Sequence, residues 1–181
     1  MPVKEVLGKY TKDQIKKASL IKAIFFDVDG VLTDGKIIYD DSGRESKQFN
    51  VKDGYIISHL KKAGILVGII TGRESKVVSN RATELKLDFC HQGIMDKHAV
   101  FEKLVAYYKL KKKQVAYIGD DINDLGILRD CGLSACPADA LDYVKSEVHV
   151  IAYTKGGQGV AREISDLILA SQEVLDKIIK Q

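Results

Sequence analysis

The sequence predicts a doubly wound α/β fold: a mainly parallel sheet with helices on both faces, contained in a single domain over residues 1–181. Three observations carry the prediction. The apolar run Ala23 to Phe26 ends abruptly at Asp27-Val28-Asp29-Gly30, so a buried strand delivers two carboxylates to its C-terminal end. Short apolar runs then alternate with stretches of helical periodicity several times over, the signature of β-turn-helix-β units. A second apolar run, Gln114 to Ile118, ends in Gly119-Asp120-Asp121, which brings another acidic strand end to the same edge of the sheet, where open α/β folds bind ligands.

In chain order, Thr11 caps a short helix with apolar Ile15, Ala18 and Leu20, and residues 1–20 are expected to be an N-terminal arm followed by that helix. After the acidic turn, Lys36 to Tyr39 and Glu45 to Phe49 flank Asp40-Asp41-Ser42-Gly43, the pattern of a β-hairpin over residues 36–49. Tyr55, Ile56, Ile57, Leu60 and Ala63 give a helix over 53–63, and Gly64 stops it before the strand Ile65 to Ile70. That strand ends in Thr71-Gly72-Arg73, and a helix over 74–85 follows. Strands at 88–90, 114–118, 133–135 and 148–151 alternate with helices over 97–108 and 138–144. A glycine-rich turn, Gly156 to Gly159, precedes a long amphipathic segment, so residues 156–181 are expected as a C-terminal tail with Ile164, Leu167, Ile168, Val174, Leu175 and Ile178 available for packing.

Composition limits the function. A net charge of +3 over 181 residues is too small to argue for nucleic acid, and the basic run Lys109 to Lys113 falls where a surface loop is expected. Cys90, Cys131 and Cys136 have no zinc-type spacing and are too few for a disulfide framework; they read as buried residues of a reducing compartment. No apolar run reaches the length of a membrane span and the first twenty residues lack a signal core, which makes the cytoplasm the expected location.

The polar groups at the strand ends suit phosphoryl transfer. Asp27 can attack phosphorus and form an aspartyl-phosphate, which splits hydrolysis into two easier steps. Asp29 can protonate the leaving oxygen and then activate water. Mg²⁺ takes a few protein oxygens, which Asp27, Asp120 and a main-chain carbonyl near Asp29 can supply, with Asp121, Asn123 and Asp124 behind them. Thr71, Gly72 and Lys97 can bind the phosphoryl oxygens where negative charge must be stabilised. Each piece also has a plain structural reading: Asp and Gly end strands, Thr71 caps a helix, Lys97 is a helix residue, and the acidic residues after Gly119 favour a helix N-terminus. Their conjunction, in fixed order at the ends of strands, is what points to chemistry.

DVDG at Asp27 to Gly30, Thr71, Lys97 and GDDxxD at Gly119 to Asp124 resemble the four motifs of the haloacid dehalogenase superfamily of phosphohydrolases. The resemblance implies that Asp27 is the nucleophile and Asp29 the general acid and base, and the aspartate two positions after the nucleophile implies a phosphatase. Only the hairpin lies between Gly30 and Thr71, so the chain is expected to be capless. FNVKDGY at Phe49 to Tyr55, TGR at Thr71 to Arg73, QGIMDK at Gln92 to Lys97 and GGQGVARE at Gly156 to Glu163 are similar to the 3-deoxy-D-manno-octulosonate 8-phosphate phosphatase family. What this implies is a homotetramer, its hairpins forming a central barrel and each site completed by a neighbour; a step towards lipopolysaccharide; substrate contacts from Asn50, Val51, Lys52, Asp53, Gly54, Arg73 and Arg81; and Mg²⁺ at Asp27, Asp29 and Asp120. An anionic sugar phosphate is the implied substrate, with neither nucleic acid nor membrane as a partner. Ser58 and Gln158 depart from the family pattern, where many relatives are basic.

Two alternatives remain at this stage. One is a relative acting on a nine-carbon 2-keto-3-deoxy sugar acid 9-phosphate, against which Arg73 argues, because such relatives tend to be acidic there. The other is a non-enzymatic phospho-receiver domain, in which the phosphoacceptor follows a middle strand and the acid pair follows the first.

Overall fold

The computed structural model describes residues 2–180. Six strands form one parallel sheet in the order β5-β4-β1-β6-β7-β8: β1 (Ala23–Phe26), β4 (Leu66–Ile70), β5 (Phe89–His91), β6 (Val115–Ile118), β7 (Leu133–Cys136) and β8 (Val150–Ile151). The chain leaves β1, builds β4 and β5 on one side, then crosses to β6 on the other. β1 and β6 are therefore the neighbours at which the winding reverses, and their C-terminal ends face one crevice.

Alternation along the central strands assigns two cores. Ile24 and Phe26 of β1, Val67 and Ile69 of β4 and Ala116 and Ile118 of β6 pack with α3 (Val51–Lys62), α4 (Lys76–Glu84) and α8 (Val160–Ser171). Phe25, Ile70 and Tyr117 face the other way, against α5 (Lys97–Tyr107), α6 (Leu125–Asp130) and α7 (Asp142–Lys145). Every residue of β1 and β6 is buried, as a strand covered on both faces requires. Cys131 and Cys136 are buried and unbonded, and burial pushes both thiols up to about 12.

The expected helix after Thr11 is α2 (Lys12–Ala18), and Thr11 with Gln14 forms a reciprocal capping box. Four features differ from the sequence reading. Residues before it form a helix of their own, α1 (Pro2–Leu7), because Val3, Val6 and Leu7 share one face that packs, with Tyr10, on the core beside α8. The C-terminal segment packs through the apolar residues expected of it, but as two helices and not one continuous stretch: α8 is a core helix with Ile164, Leu167, Ile168 and Leu169 fully buried. It ends where Glu173 adopts φ +61°, and α9 (Leu175–Ile179) turns back from there. The hairpin strands are shorter than expected, β2 (Ile38–Tyr39) and β3 (Glu45–Ser46), since their turn is held by Asp40 side-chain bonds to Ser42 and Arg44 rather than by a long ladder. The helix expected over 138–144 is displaced to α7. Lys109 to Lys113 is the exposed connection expected, and among the described residues no helix is long and apolar enough to cross a membrane.

Candidate active site

Asp27 follows β1 directly, and its amide donates to the Ile118 carbonyl of β6 at 2.9 Å, which locks the first acidic turn to the strand that carries the second. The turn then needs a left-handed residue. Gly30 sits at φ +90°, and a Cβ there would lie 2.0 Å from Asp120 Oδ2, so only glycine lets the two acidic turns approach this closely. Behind the first turn, the Gly157 amide donates to the Val31 carbonyl at 2.9 Å and anchors the glycine-rich loop against it.

Lys97 is the first residue of α5, whose N-terminus is capped by Asp96. Its ammonium is fully buried and lies 2.9 Å from Asp27 Oδ2 and 2.8 Å from Asp124 Oδ1. Asp124 is saturated: Oδ1 also accepts from the Tyr117 hydroxyl at 2.6 Å, and Oδ2 accepts from the amides of Asp120 and Asp121. It is thus a post that holds Lys97, Tyr117 and the second acidic turn together. Burial, then the nearby Asp124, pushes Asp27 up to about 6 against the pull of Lys97. Asp120 is pushed up to about 8 by burial and by Asp27, Asp124 and Asp121.

Asp27, Asp120 and Asp124 each offer a carboxylate oxygen within one 4.8 Å group. Asp27 Oδ1 and Asp120 Oδ1 are buried and have no hydrogen-bond partner, while Asp124 is fully used. Two orphaned carboxylate oxygens, with Asp27 raising the proton affinity of Asp120, are what a divalent cation would relieve, so the residues present fit Mg²⁺. The Asp29 carboxylate stands apart from this group. It is bonded by Lys47, a hairpin residue, and by Thr33 Oγ1 at 3.4 Å. Thr71 is buried at the end of β4, and Asn123 Nδ2 lies 3.6 Å from where a Cβ on Gly72 would be, which places the Asn123 amide beside the Thr71-Gly72 turn. Asp121 accepts from the Ile122 amide and from the Tyr143 hydroxyl.

The other expected substrate contacts divide into two sets. Asn50 caps α3, accepting from the Lys52 amide at 2.9 Å, and reaches the Gly157 carbonyl at 3.4 Å; Val51 and Lys52 are exposed beside it. Arg73 is bound to the hairpin, at 3.1 Å from both the Tyr39 hydroxyl and Glu45 Oε1. Arg81 instead lies in the contact between α3 and α4. It pairs with Glu84 at 2.8 Å, stacks on Phe49, and its Nη2 is 2.3 Å from where a Cβ on Gly54 would be. Asp53 is buried nearby, accepts from the Arg162 amide at 2.7 Å, and is pushed up to about 6 by burial.

Sequence reasoning missed Lys47, Glu45, Ser75, Tyr39 and Tyr117. Tyr117 left one signal, a phenol inside an otherwise apolar strand; the hairpin residues left none. A second group, His98, Glu102 and Asp130, also comes within 4.8 Å, but Glu102 is exposed, the other two are half-buried, and Lys112 already bridges both carboxylates.

An α/β fold whose first strand ends in DVDG, with a buried lysine and a second acidic turn converging on it, defines a haloacid dehalogenase-like hydrolase, and residues 87–164 match the family model of that description. The Yersinia pestis 3-deoxy-D-manno-octulosonate 8-phosphate phosphatase is 41% identical over 169 residues, 93% of this chain and 90% of that protein. The Moraxella catarrhalis enzyme of the same name, solved with magnesium ion, phosphate ion and KDO, superposes with TM-score 0.92 at 37% identity, over 94% of this chain and 98% of that one. A cobalt-bound structure from Haemophilus influenzae gives TM-score 0.85 at 40% identity, over 88% and 93% of the two chains. The chain belongs to the 3-deoxy-D-manno-octulosonate 8-phosphate phosphatase family.

Proposed function

We propose that this protein hydrolyses 3-deoxy-D-manno-octulosonate 8-phosphate to the free sugar acid and inorganic phosphate with Mg²⁺ as cofactor, a step towards lipopolysaccharide. Beyond family membership, the observation that carries the reading is the state of Asp27: a buried carboxylate with one oxygen fixed by Lys97 and the other unpartnered. A nucleophile needs this combination of fixed direction and a free lone pair.

In this mechanism Asp27 attacks phosphorus and carries the phosphoryl group as an aspartyl-phosphate. Asp29 protonates the sugar oxygen as it leaves, then takes the proton of the water that hydrolyses the intermediate. Thr71, the Gly72 amide and the Lys97 ammonium hold the phosphoryl oxygens. Asp27, Asp120 and the main-chain carbonyl of Asp29 would hold Mg²⁺, which supplies positive charge against the phosphate oxygens. Asn50 to Gly54, Arg73 and Arg81 serve the sugar acid, whose carboxylate suits a guanidinium. The protein is cytoplasmic in this reading and works as a homotetramer. Supporting the tetramer are the exposed Ile37, Ile38 and Tyr39 of the hairpin, and the location of Arg81 in the α3–α4 contact, where it touches none of its own chain's acidic residues at the strand ends.

Release of inorganic phosphate from the eight-carbon substrate, with and without Mg²⁺ and beside a nine-carbon sugar acid 9-phosphate, tests the proposal. Metal-dependent turnover that prefers the eight-carbon acid is expected, and Asp27→Asn is expected to abolish it. Preference for the nine-carbon acid would overturn the substrate, and wild-type turnover by Asp27→Asn would overturn the nucleophile.

A further inference from the structure

Lys47 follows β3 in the hairpin, and its side chain is only 1% exposed. A buried ammonium costs several kcal/mol unless it is paired, on the order of the penalty for any desolvated ion. Here it is paired twice, with the Asp29 carboxylate and with Glu45 Oε1 at 3.4 Å. Neither contact is needed to close the hairpin, whose turn is already tied by Asp40 to Ser42 and Arg44.

The far end of this chain of contacts is anchored in the scaffold. Glu45 also accepts from Arg73 Nη2 at 3.1 Å and from the Ser75 hydroxyl. Ser75 is the N-cap of α4, and its amide donates to Gln92 Oε1 at 2.8 Å. Glu45 is thus held from three sides, and it fixes the direction of Lys47. Asp29, by contrast, lies outside every helix and strand, just before the left-handed Gly30, and its other side-chain contact is the long one to Thr33. The direction of its carboxylate depends on Lys47.

We propose that Lys47 is the positioning residue for Asp29: through Glu45 and Ser75 it transmits the fixed geometry of α4 to the group that moves the proton. The ammonium holds the Asp29 carboxylate away from Asp27 and Asp120, where a further negative charge would repel both the nucleophile and the phosphate. The inference rests on the reading of Asp29 as general acid and base. It adds a requirement for the hairpin, which contributes to the chemistry of its own subunit.

Proton donation matters for an alkyl leaving group and little for an aryl one, so two substrates separate the roles. Lys47→Met should lower kcat on the sugar phosphate by about 10²-fold, the lower end for a general acid, with KM changed by less than about threefold. Single-turnover phosphoryl transfer from p-nitrophenyl phosphate should stay within about fivefold of wild type, which also reports an intact fold. Lys47→Arg, which keeps the charge, should recover most of the loss. Equal losses on both substrates, or a rise in KM with kcat unchanged, would overturn the proposal. Asp29→Asn separates it from its premise: full activity there removes both, whereas an inactive Asp29→Asn beside a wild-type Lys47→Met removes the positioning role alone.

Discussion

Replacing Lys97 by methionine keeps the length of the side chain and removes the one ammonium shared by Asp27 and Asp124. Both contacts, at 2.9 and 2.8 Å, are fully buried, so no water replaces the lost charge. Asp124 retains Tyr117 and two amides, but Asp27 retains only the amide of Val28. Removing one partner of a buried ion pair costs about 3–5 kcal/mol, a large share of a domain's stability. The pH dependence has a definite sign. Asp27 is already pushed up to about 6, and without Lys97 it rises further. The folded state then binds a proton that the unfolded state has released, so the stability of Lys97→Met falls as pH rises from about 4 through that raised value and stays low above it. Urea denaturation in EDTA, followed by circular dichroism at pH 5, 6.5 and 8, measures this directly. The deficit against wild type should be largest at pH 8 and shrink at pH 5. An equal midpoint for the two proteins at pH 8 would refute the claim that Lys97 compensates these carboxylates. Turnover at saturating Mg²⁺ should fall by about 10²–10³-fold, as when one preorganised donor to a transferring group is lost.

Tyr117→Phe removes the 2.6 Å bond to Asp124 without changing the strand's apolar packing. It should cost about 1–3 kcal/mol in the same denaturation experiment, with a smaller activity loss than Lys97→Met. Gly30→Ala places a methyl at φ +90° and 2.0 Å from Asp120 Oδ2, so the two acidic turns must separate. Isothermal titration should show weaker Mg²⁺ binding, while the thermal midpoint measured without metal changes less than the affinity does.

The strands and most helices were legible because each acts locally. Apolar runs of four or five residues ended by Asp, Thr or Gly mark β1, β4 and β6, and the order of their polar ends fixes which side chains can meet. The same locality explains what was not legible. α1 is a short helix that is stable because Val3, Val6 and Leu7 find α8, a partner more than 150 residues away. Lys47 and Glu45 share the returning arm of the hairpin while Ser75 is a helix cap thirty residues on, and nothing in either local pattern announces the other. Tyr117 was within reach: a buried phenol needs an acceptor, and strand alternation puts it on the face opposite Ala116 and Ile118, towards α5 and α6.

The charges at the switch point explain why the site needs a cation before it can accept its substrate. Asp27, Asp120 and Asp124 converge there, Asp29 and Asp121 stand on the same two turns, and the ammoniums bonded to these carboxylates are Lys97 and Lys47. A phosphate monoester would add further negative charge. In the metal-free protein the strain is eased by proton uptake: Asp120, pushed up to about 8, is partly protonated at neutral pH, and a protonated carboxyl is a poor ligand. A cation bound there would displace a proton from Asp120 and favour the ionised form of Asp27, whose carboxyl is pushed up by burial and Asp124. Cation binding and proton release from Asp120 are in this sense one equilibrium. Gly30 makes it possible by letting the two acidic turns come close enough to share the charge.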